Sequence, residues 1–291
     1  MFSPLDDRFV SFYKENGYVH VPDFLTPEEV AGLKHDITRV LKNASVPPVA
    51  RPHIQLMGTK YHLDSVATAD LFYESACVTP DGKLSKPLDQ SVHKIAHGVH
   101  VMCETAKQVT FSDKMCGAIR ALTGYQHPTL VQGMFLLKQP LIGEASPMHV
   151  DETYVMSDPP GHVTGVWIAL DDATIQNGCL QFVPGSHKTH KLTKRWIRTS
   201  DHHSDEWQSI MKFEKKGTDT EYSDDQFASL EVKSGGLVLI NGLVVHKSNP
   251  NRSQDPRSAY TFHFYDKIPG VQWSPLNWAQ ELPNFTFPSL Y

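Results

Sequence analysis

The sequence predicts a mainly β protein with flanking helices, in which the core is a β-sandwich or barrel. From residue 128 onward, short runs rich in β-forming residues are separated by clear turn sequences, a spacing typical of all-β architectures. Patterns with helical periodicity lie before that point and do not alternate with strands, as they would in an α/β fold. We therefore expect one domain over residues 1–291, with mostly helical support at 1–127 and the β core at 128–270.

Size and composition are those of an ordinary globular protein. The chain has 291 residues, enough to bury a full core, and 40% of them are apolar and 20% charged. Its net charge of −5 argues against a general nucleic-acid-binding role. No apolar run approaches the roughly 20 residues that span a bilayer, so we expect no membrane span. The 16 histidines make metal chemistry worth considering.

Cysteine use and the two ends of the sequence favour a cytoplasmic protein. The four cysteines form no Cys-x-x-Cys pair, which is typical of free thiols in a reducing compartment. The N-terminus lacks the basic start and apolar segment of a secretory signal. The C-terminal Ser289-Leu290-Tyr291 differs from the Ser-Lys-Leu peroxisomal signal.

The first elements follow from local capping signals. Residues 6–16 carry apolar positions at helical spacing, and Gly17 is suited to end that helix. Residues 18–24 alternate as a short strand does. Thr26 and Glu29 then form a capping box, which predicts a second helix with one apolar face.

The middle of the chain gives weaker signals. Residues 44–52 are rich in proline and predict a loop, whereas residues 53–90 give mixed signals, with a turn at Pro80-Asp81-Gly82 between short extended pieces. Residues 94–122 show helical periodicity, and Gly124 follows at a suitable end point.

The β core is predicted from short runs, most of which lie beside a turn sequence that contains glycine or proline. Residues 190–228 interrupt these runs with polar and charged sequence, which favours an insertion that acts as a lid. The predicted strands cover residues 129–138, 163–171, 179–183, 236–240, 244–246 and 259–265.

His149 and Asp151 give the first indication of a metal-binding site. At positions i and i+2 of an extended segment, an imidazole and a carboxylate point to the same side. Together they are two thirds of the two-histidine, one-carboxylate set that binds iron in non-haem oxygenases. A His-x-Asp motif is common by chance, and the alternative interpretation is a surface turn with a His–Asp hydrogen bond. The missing histidine must come from another strand, and His246, at the end of an apolar run, fits that place.

An arginine at the start of a core strand gives the second indication. Arg257 opens the run 258–265, and a buried unpaired charge is costly, so an anion is expected beside it. A carboxylate that accepts two parallel hydrogen bonds is the natural partner. The alternative is a surface arginine at the start of a strand. Arg252 is a rival candidate, but it lies among polar loop residues and is expected to be solvated.

Several motifs together resemble the phytanoyl-CoA dioxygenase family of Fe(II)/2-oxoglutarate oxygenases. The resemblance extends from about residue 8 to the C-terminus, and its distal part is the most specific. The matching motifs are Gly-Tyr-x5-Phe-Leu at 17–25, His149-x-Asp151, Asn-Gly-Cys-Leu-Gln-Phe-Val-Pro-Gly-Ser-His at 177–187, and His246-x-Ser248 followed by Arg257.

The resemblance implies a double-stranded β-helix, a cupin-like jelly roll, with the N-terminal helices against one sheet. It implies that His149, Asp151 and His246 hold Fe(II), with His149 and Asp151 also among the residues that bind the cosubstrate. It further implies that Arg257 pairs with the far carboxylate of 2-oxoglutarate and that Ser248 hydrogen-bonds the same group.

Three more cosubstrate contacts are implied by similarity to the family, at Lys94, Met134 and Trp167. A cation suits a dianion and an indole N–H is a donor, whereas methionine offers only packing. From the residues alone, Trp167 would be assigned to the core. A metal pair formed by His187 and His190 is an alternative, although the resemblance gives both a structural place.

The resemblance also implies the activity. A 2-oxoglutarate-dependent dioxygenase needs Fe(II), 2-oxoglutarate and O2, with ascorbate as reductant, and releases succinate and CO2 as it hydroxylates a substrate. Related halogenases have a small residue where this chain has Asp151, so hydroxylation is expected. Val150 stands where the family often has glutamine, and the sequence shows no basic patch for the CoA 3′-phosphate. We therefore expect a small-molecule or acyl substrate other than phytanoyl-CoA.

Two other functions remain open from the sequence. One is a jelly roll that binds metal and 2-oxoglutarate in a sensing or scaffold role with little turnover. The other is a cupin-like hydrolase or isomerase that uses zinc or manganese, which leaves Arg257 and Ser248 without a purpose. No sequence pattern selects an oligomeric state.

Overall fold

A computed structural model describes residues 5–199 and 210–291 of the chain. Within those ranges, no helix has both the length and the apolar character needed to cross a membrane. The α-helices are α1 Asp7–Asn16, α2 Pro27–Asn43, α3 His53–Leu56, α4 Lys60–Asp64, α5 Val99–Met102, α6 Glu104–Thr110 and α7 Asp113–Thr123. The strands are β1 Tyr18–Val21, β2 Ala69–Tyr73, β3 Val92–His97, β4 Pro128–Lys138, β5 Ser146–His149, β6 Ser157–Asp158, β7 Val163–Ala169, β8 Leu180–Phe182, β9 Lys194–Arg198, β10 Met211–Lys215, β11 Ala228–Leu230, β12 Leu237–Asn241, β13 His246–Ser248, β14 Arg257–Asp266 and β15 Gln272–Trp273.

The capping signals at the N-terminus are confirmed. The Asp6 carboxylate accepts a hydrogen bond from the backbone N–H of Arg8, and Gly17 ends α1 at a φ of 80°. In α2 the Thr26 hydroxyl accepts from the Glu29 N–H while the Glu29 carboxylate accepts from the Thr26 N–H.

Two antiparallel sheets face each other in a mainly β jelly roll. Among the described residues, the larger sheet has seven strands in the order β1-β12-β7-β14-β4-β3-β2, and the smaller has four in the order β11-β8-β13-β5. Apolar side chains of both sheets, such as Trp167 and Phe182, form a buried cluster between them. The opposite face of the larger sheet packs against α2, α6 and α7 through a larger buried cluster. The larger sheet thus has buried apolar side chains on both of its faces.

The predicted helix at 94–122 is wrong at its start. Residues Val92–His97 form β3, which pairs with β2 on one side and β4 on the other. Apolar residues at this spacing fit both periodicities, and pairing with two strands decides for the extended form. The remaining helical stretch is divided into α5, α6 and α7, whose N-cap residues are Gly98, Cys103 and Ser112. Segment 1–127 therefore adds strands to both edges of the larger sheet as well as helices.

The other differences include shifts of strand ends, the predicted lid, and the helices α3 and α4 in the segment 53–90, where short extended pieces were expected. The strand expected at 244–246 begins at His246 and runs to Ser248. Within the predicted lid at 190–228, β9 and β10 form an antiparallel ribbon. Residues 200–209 of that segment lie outside the described residues.

Candidate functional site

The ladder between β5 and β13 sets the position of the two predicted histidine ligands. His149 is the last residue of β5, His246 is the first of β13, and the two are direct partners in the antiparallel register. Asp151 opens a short 3-10 turn immediately after β5. The structure therefore brings together the three residues that the sequence proposed as a triad.

The three donor groups converge on one point. The Asp151 Oδ1 atom lies 3.6 Å from His149 Nε2 and 3.6 Å from His246 Nε2. On the other side of each ring, His149 Nδ1 is 2.7 Å from the Pro147 carbonyl oxygen and His246 Nδ1 is 3.0 Å from that of Val244. An Nδ1–H that donates to a carbonyl leaves the Nε2 lone pair directed at the centre of the group. Two imidazole nitrogens and a carboxylate oxygen on one side match the facial set of non-haem iron oxygenases.

Electrostatics keep these groups in the protonation states that a metal needs. Burial, together with the nearby His149, lowers the pKa of His246 to about 4, so its imidazole is neutral near pH 7. Burial alone would raise the pKa of Asp151, but the neighbouring His263, His246 and His149 hold it well below its usual value. A neutral imidazole and an ionised carboxylate are the ligand forms that bind metals.

A further histidine beside the triad was missed. His263, in the middle of β14, has its Nε2 atom 3.3 Å from Asp151 Oδ2. The Gln132 amide donates to His263 Nδ1 at 3.0 Å, which leaves the ring proton on Nε2, facing the carboxylate. Gly165 makes room for this contact, because a Cβ there would lie 3.1 Å from His263 Nε2 and 3.2 Å from Asp151 Oδ2. The sequence shows this histidine only as one more residue of a predicted strand.

Arg257 lies buried inside the fold, with no carboxylate partner among the described residues. Its side chain donates from Nη2 to the Ser248 hydroxyl at 3.4 Å, and Nε has no hydrogen-bond partner in the described part of the chain. The guanidinium lies 5.7 Å from the centre of the Trp167 ring. Burial lowers the pKa of Arg257 to about 10, so it is charged at neutral pH. A buried cation in this state is a site for an anion.

Lys138 is the second residue that the sequence analysis missed. It is the last residue of β4 and the direct partner of Arg257 across the ladder. Its Nζ atom donates to the Ser248 hydroxyl at 2.9 Å and to the Asn249 carbonyl at 2.5 Å. Burial, with Arg257 nearby, lowers the pKa of Lys138 to about 6. The signal that could have found it is the pairing of two strand ends, each occupied by a basic residue.

The predicted cosubstrate contacts line one cavity with the triad. The cavity has a volume of about 340 Å³. The Nζ atom of Lys94, in β3, lies 3.1 Å from His97 Nε2. Burial lowers the pKa of Lys94 to about 8. The indole N–H of Trp167 is buried and has no hydrogen-bond partner among the described residues. The predicted site residues that line the cavity are Lys94, Met134, His149, Asp151, Trp167, His246, Ser248 and Arg257.

The residues that the sequence offered as alternatives, His187, His190 and Arg252, lie elsewhere in the structure. His187 Nε2 is 3.2 Å from the Lys14 carbonyl, and His190 Nδ1 is 3.2 Å from the Tyr222 hydroxyl. Neither belongs to a group of side chains in the described ranges that could hold a metal ion. Arg252 is exposed, as the sequence predicts.

Aromatic and imidazole rings form another part of the cavity wall. The ring of Trp278 lies 4.3 Å from that of His62 and 4.5 Å from that of His97, centre to centre. Trp196 and Tyr154 also line the cavity. Such a wall gives a bound organic molecule flat contact area and few charges.

Comparison with known proteins identifies similar sequences along nearly the whole chain. The family model described as phytanoyl-CoA dioxygenase (PhyH) matches residues 13–259. The phytanoyl-CoA dioxygenase domain-containing protein 1 homolog of Caenorhabditis elegans is 36% identical over 286 residues, which cover 96% of this chain and 97% of that protein. Phytanoyl-CoA dioxygenase domain-containing protein 1 of Mus musculus is 36% identical over 289 residues, 96% of each chain. Phytanoyl-CoA dioxygenase of Arabidopsis thaliana is 33% identical over 274 residues, 93% of this chain and 92% of that one.

Solved structures share the fold at lower sequence identity. The non-heme alpha ketoglutarate dependent epimerase SnoN from nogalamycin biosynthesis superposes with a TM-score of 0.66 at 17% identity, and 98% of each chain is covered. EctD from S. alaskensis, crystallised with 2-oxoglutarate and 5-hydroxyectoine, gives a TM-score of 0.61 at 16% identity, with 90% of this chain and 77% of that chain covered. These similarities support the jelly-roll fold.

Proposed function

The chain belongs to the phytanoyl-CoA dioxygenase family and is a 2-oxoglutarate-dependent dioxygenase, and from this premise we propose that it hydroxylates a small-molecule or acyl substrate at an Fe(II) centre held by His149, Asp151 and His246. The observation that carries the proposal is the presence, in one cavity, of this triad and a buried guanidinium that pairs with no anion in the described part of the chain.

The donor set suits Fe(II). Two neutral imidazoles and one carboxylate on one side of a metal leave the remaining coordination positions open. The donor atoms of His149, Asp151 and His246 all lie within 4.8 Å of one another, and the backbone carbonyls behind both rings fix the rings' orientation. When bound, Fe(II) and 2-oxoglutarate supply the O2-dependent oxidation, from which succinate and CO2 are the co-products. Ascorbate would serve as the reductant that maintains Fe(II).

We assign the binding of 2-oxoglutarate to the cation end of the cavity. Arg257 offers a planar fork of donors to the far carboxylate, and the Ser248 hydroxyl donates to the same group. Lys138 holds that hydroxyl in place through its hydrogen bond to Ser248 Oγ. The keto-acid end would then lie beside His149 and Asp151.

Three more side chains would complete the cosubstrate site. The Lys94 ammonium supplies positive charge, and the Trp167 N–H, which has no partner within residues 5–199 and 210–291, supplies a donor. Met134, which is 9% exposed, contributes packing.

The volume of the cavity and its aromatic wall limit the size and the chemical character of the substrate. A cavity of about 340 Å³ is at the small end of the range for organic ligands, about 300–1,000 Å³. The aromatic wall would limit the access of water to the reacting C–H bond. Asp151 occupies the third ligand position with a carboxylate, which favours hydroxylation. We propose a compact substrate and do not expect phytanoyl-CoA to be turned over.

Succinate formation tests the proposal. Purified protein would be incubated with Fe(II), O2, ascorbate and 2-oxoglutarate, with and without phytanoyl-CoA, beside a His149→Ala variant. We expect succinate above the level of the variant and no stimulation by phytanoyl-CoA. Stimulation would contradict the substrate assignment. Confirmed binding of metal and 2-oxoglutarate without succinate, across a panel of small and acyl compounds, would favour the sensing or scaffold role instead.

A further inference from the structure

A second group of possible metal ligands lies apart from the triad, around Glu74. This residue follows β2, and its side chain is fully buried. Neither carboxylate oxygen accepts a hydrogen bond from any described residue. A buried carboxylate without partners is costly, so the fold must either protonate it or give it a cation.

A bulge in β3 brings a histidine to this carboxylate. Phe72 pairs with Lys94 and Tyr73 pairs with Val92, so His93 is an extra residue between two paired positions. A bulge of this kind turns a side chain out of the regular alternation. As a result, both His93 and Lys94 line the cavity. His93 Nδ1 lies 3.3 Å from Glu74 Oε2.

A second histidine comes from α3. The ring of His53 is stacked on that of His93 with centres 4.0 Å apart. Its Nδ1 atom is 3.2 Å from the Tyr73 carbonyl, which leaves Nε2 available to a metal. That Nε2 atom lies 3.8 Å from the Glu144 carboxylate. One donor atom from each of His53, Glu74 and His93 lies within 4.8 Å of the others.

We propose that His53, Glu74 and His93 form a second metal site, which binds Zn(II) in the wall of the cavity. Two imidazole nitrogens and one carboxylate oxygen are a common zinc ligand set, and the fourth position is open to Glu144 or to the cavity. Zinc–ligand distances of about 2.0–2.2 Å require these side chains to move inward and the two stacked imidazoles to turn, so that one nitrogen of each faces the metal. The site needs none of the triad residues.

Some charges around the cluster favour a bound cation, and others oppose it. Glu74 and Glu144 supply two carboxylates next to the two imidazoles. Lys94, Lys138 and Arg257 line the same cavity and oppose a cation. Burial lowers the pKa of Lys138 to about 6, so it is mostly neutral near pH 7 and adds little to this opposition. The alternative occupant of the cluster is a proton on Glu74.

Metal stoichiometry tests the second site without reference to activity. The full chain, freed of metal by a chelator, would be dialysed against Zn(II) and its metal content measured. We expect two zinc ions per wild-type chain, one per His149→Ala/His246→Ala chain and one per Glu74→Gln chain. Glu221→Gln, which changes an exposed carboxylate, is the matched control and should keep two.

The outcomes separate the second site from the proposed function. A wild-type chain that holds one zinc ion, lost in the double histidine variant, would overturn the second site and leave the dioxygenase proposal intact. Two zinc ions retained by Glu74→Gln would also overturn it. If Glu74→Gln fails to fold, His53→Asn serves the same purpose, and the wild-type stoichiometry needs no variant. Co(II) absorption in the visible range provides a second readout of each site.

Discussion

At the scale of single residues, Arg257 is the side chain whose replacement best separates cosubstrate binding from metal binding. Arg257→Ala removes the fork of donors and leaves the triad untouched, so 2-oxoglutarate affinity should fall about 10- to 100-fold, since a hydrogen bond to a charged group is worth about 1.5–3 kcal/mol. Titration calorimetry with 2-oxoglutarate on the metal-loaded protein measures this. Arg252→Ala, at the exposed arginine, is the matched control. An unchanged affinity in Arg257→Ala would refute the anchor assignment.

Gly165 tests the packing beneath the triad. In Gly165→Ala the new Cβ would lie 3.1 Å from His263 Nε2 and 3.2 Å from Asp151 Oδ2, so one of them must move. We expect metal affinity to fall about 10- to 100-fold, the usual effect of disturbing a ligand's supporting contacts. Competition with a chelator gives the affinity. Gly117→Ala is the control, because its Cβ meets no described atom within 4 Å. Equal metal affinity in both variants would argue against this contact.

The sequence could predict some site residues and not others for a definite reason. His149 and Asp151 stand two apart in an extended segment, and Arg257 opens a strand, so each is visible locally. Lys138 and His263 gain their meaning only from contacts across the sheets, to Ser248 and to Asp151. Those contacts depend on strand register, which a single sequence specifies weakly.

At the scale of elements, the capping box of α2 makes a measurable contribution to stability. Thr26→Ala removes the hydroxyl that accepts from the Glu29 N–H, so the free energy of unfolding should fall by about 1 kcal/mol. Urea unfolding followed by circular dichroism measures the change. Thr26→Ser keeps the acceptor and should remain near wild type. A loss in Thr26→Ser equal to that in Thr26→Ala would show that the lost contact is not the cap.

The elements that the sequence predicted well are those with signals at their ends. Helix α1 begins one residue after its predicted start and ends before Gly17, as expected, and β7 and β14 lie within one or two residues of their predicted ends. Strand β3 was missed because its apolar residues fit either periodicity and its partners are distant in sequence. Pairing between distant strands is the information that local patterns lack.

At the scale of the whole molecule, buried neutral histidines should make the metal-free protein sensitive to acid. Burial lowers the pKa of His100 to about 3 and holds that of His62 and His97 well below the ordinary value. Below a pH of about 6.5 the unfolded chain binds protons at these residues and the folded chain does not. The free energy of unfolding should therefore fall as the pH is lowered from about 6.5 towards 3, by up to about 1.4 kcal/mol per pH unit for each histidine.

Two buried glutamates oppose this loss of stability as the pH is lowered. Burial raises the pKa of Glu74 and Glu152 to about 7, so the folded state binds protons that the unfolded state lacks between pH 4.5 and 7. The histidines outnumber them, so the net effect is a loss of stability in acid. Urea unfolding at pH 7, 6 and 5 measures it, and His100→Leu should reduce the slope by about one proton. A slope that is flat or reversed in the wild type would contradict the prediction.

The direct pairing of His149 with His246 has a consequence for the heat of metal binding. Both ligands belong to a hydrogen-bonded ladder that the fold builds from its own backbone. A metal that arrives there orders few residues and removes little further apolar surface from water. Binding should therefore carry a heat-capacity change near zero, unlike zinc-finger peptides, which fold as they bind. Calorimetry at several temperatures would measure this, and a large negative value would mean that the strands come together only with the metal.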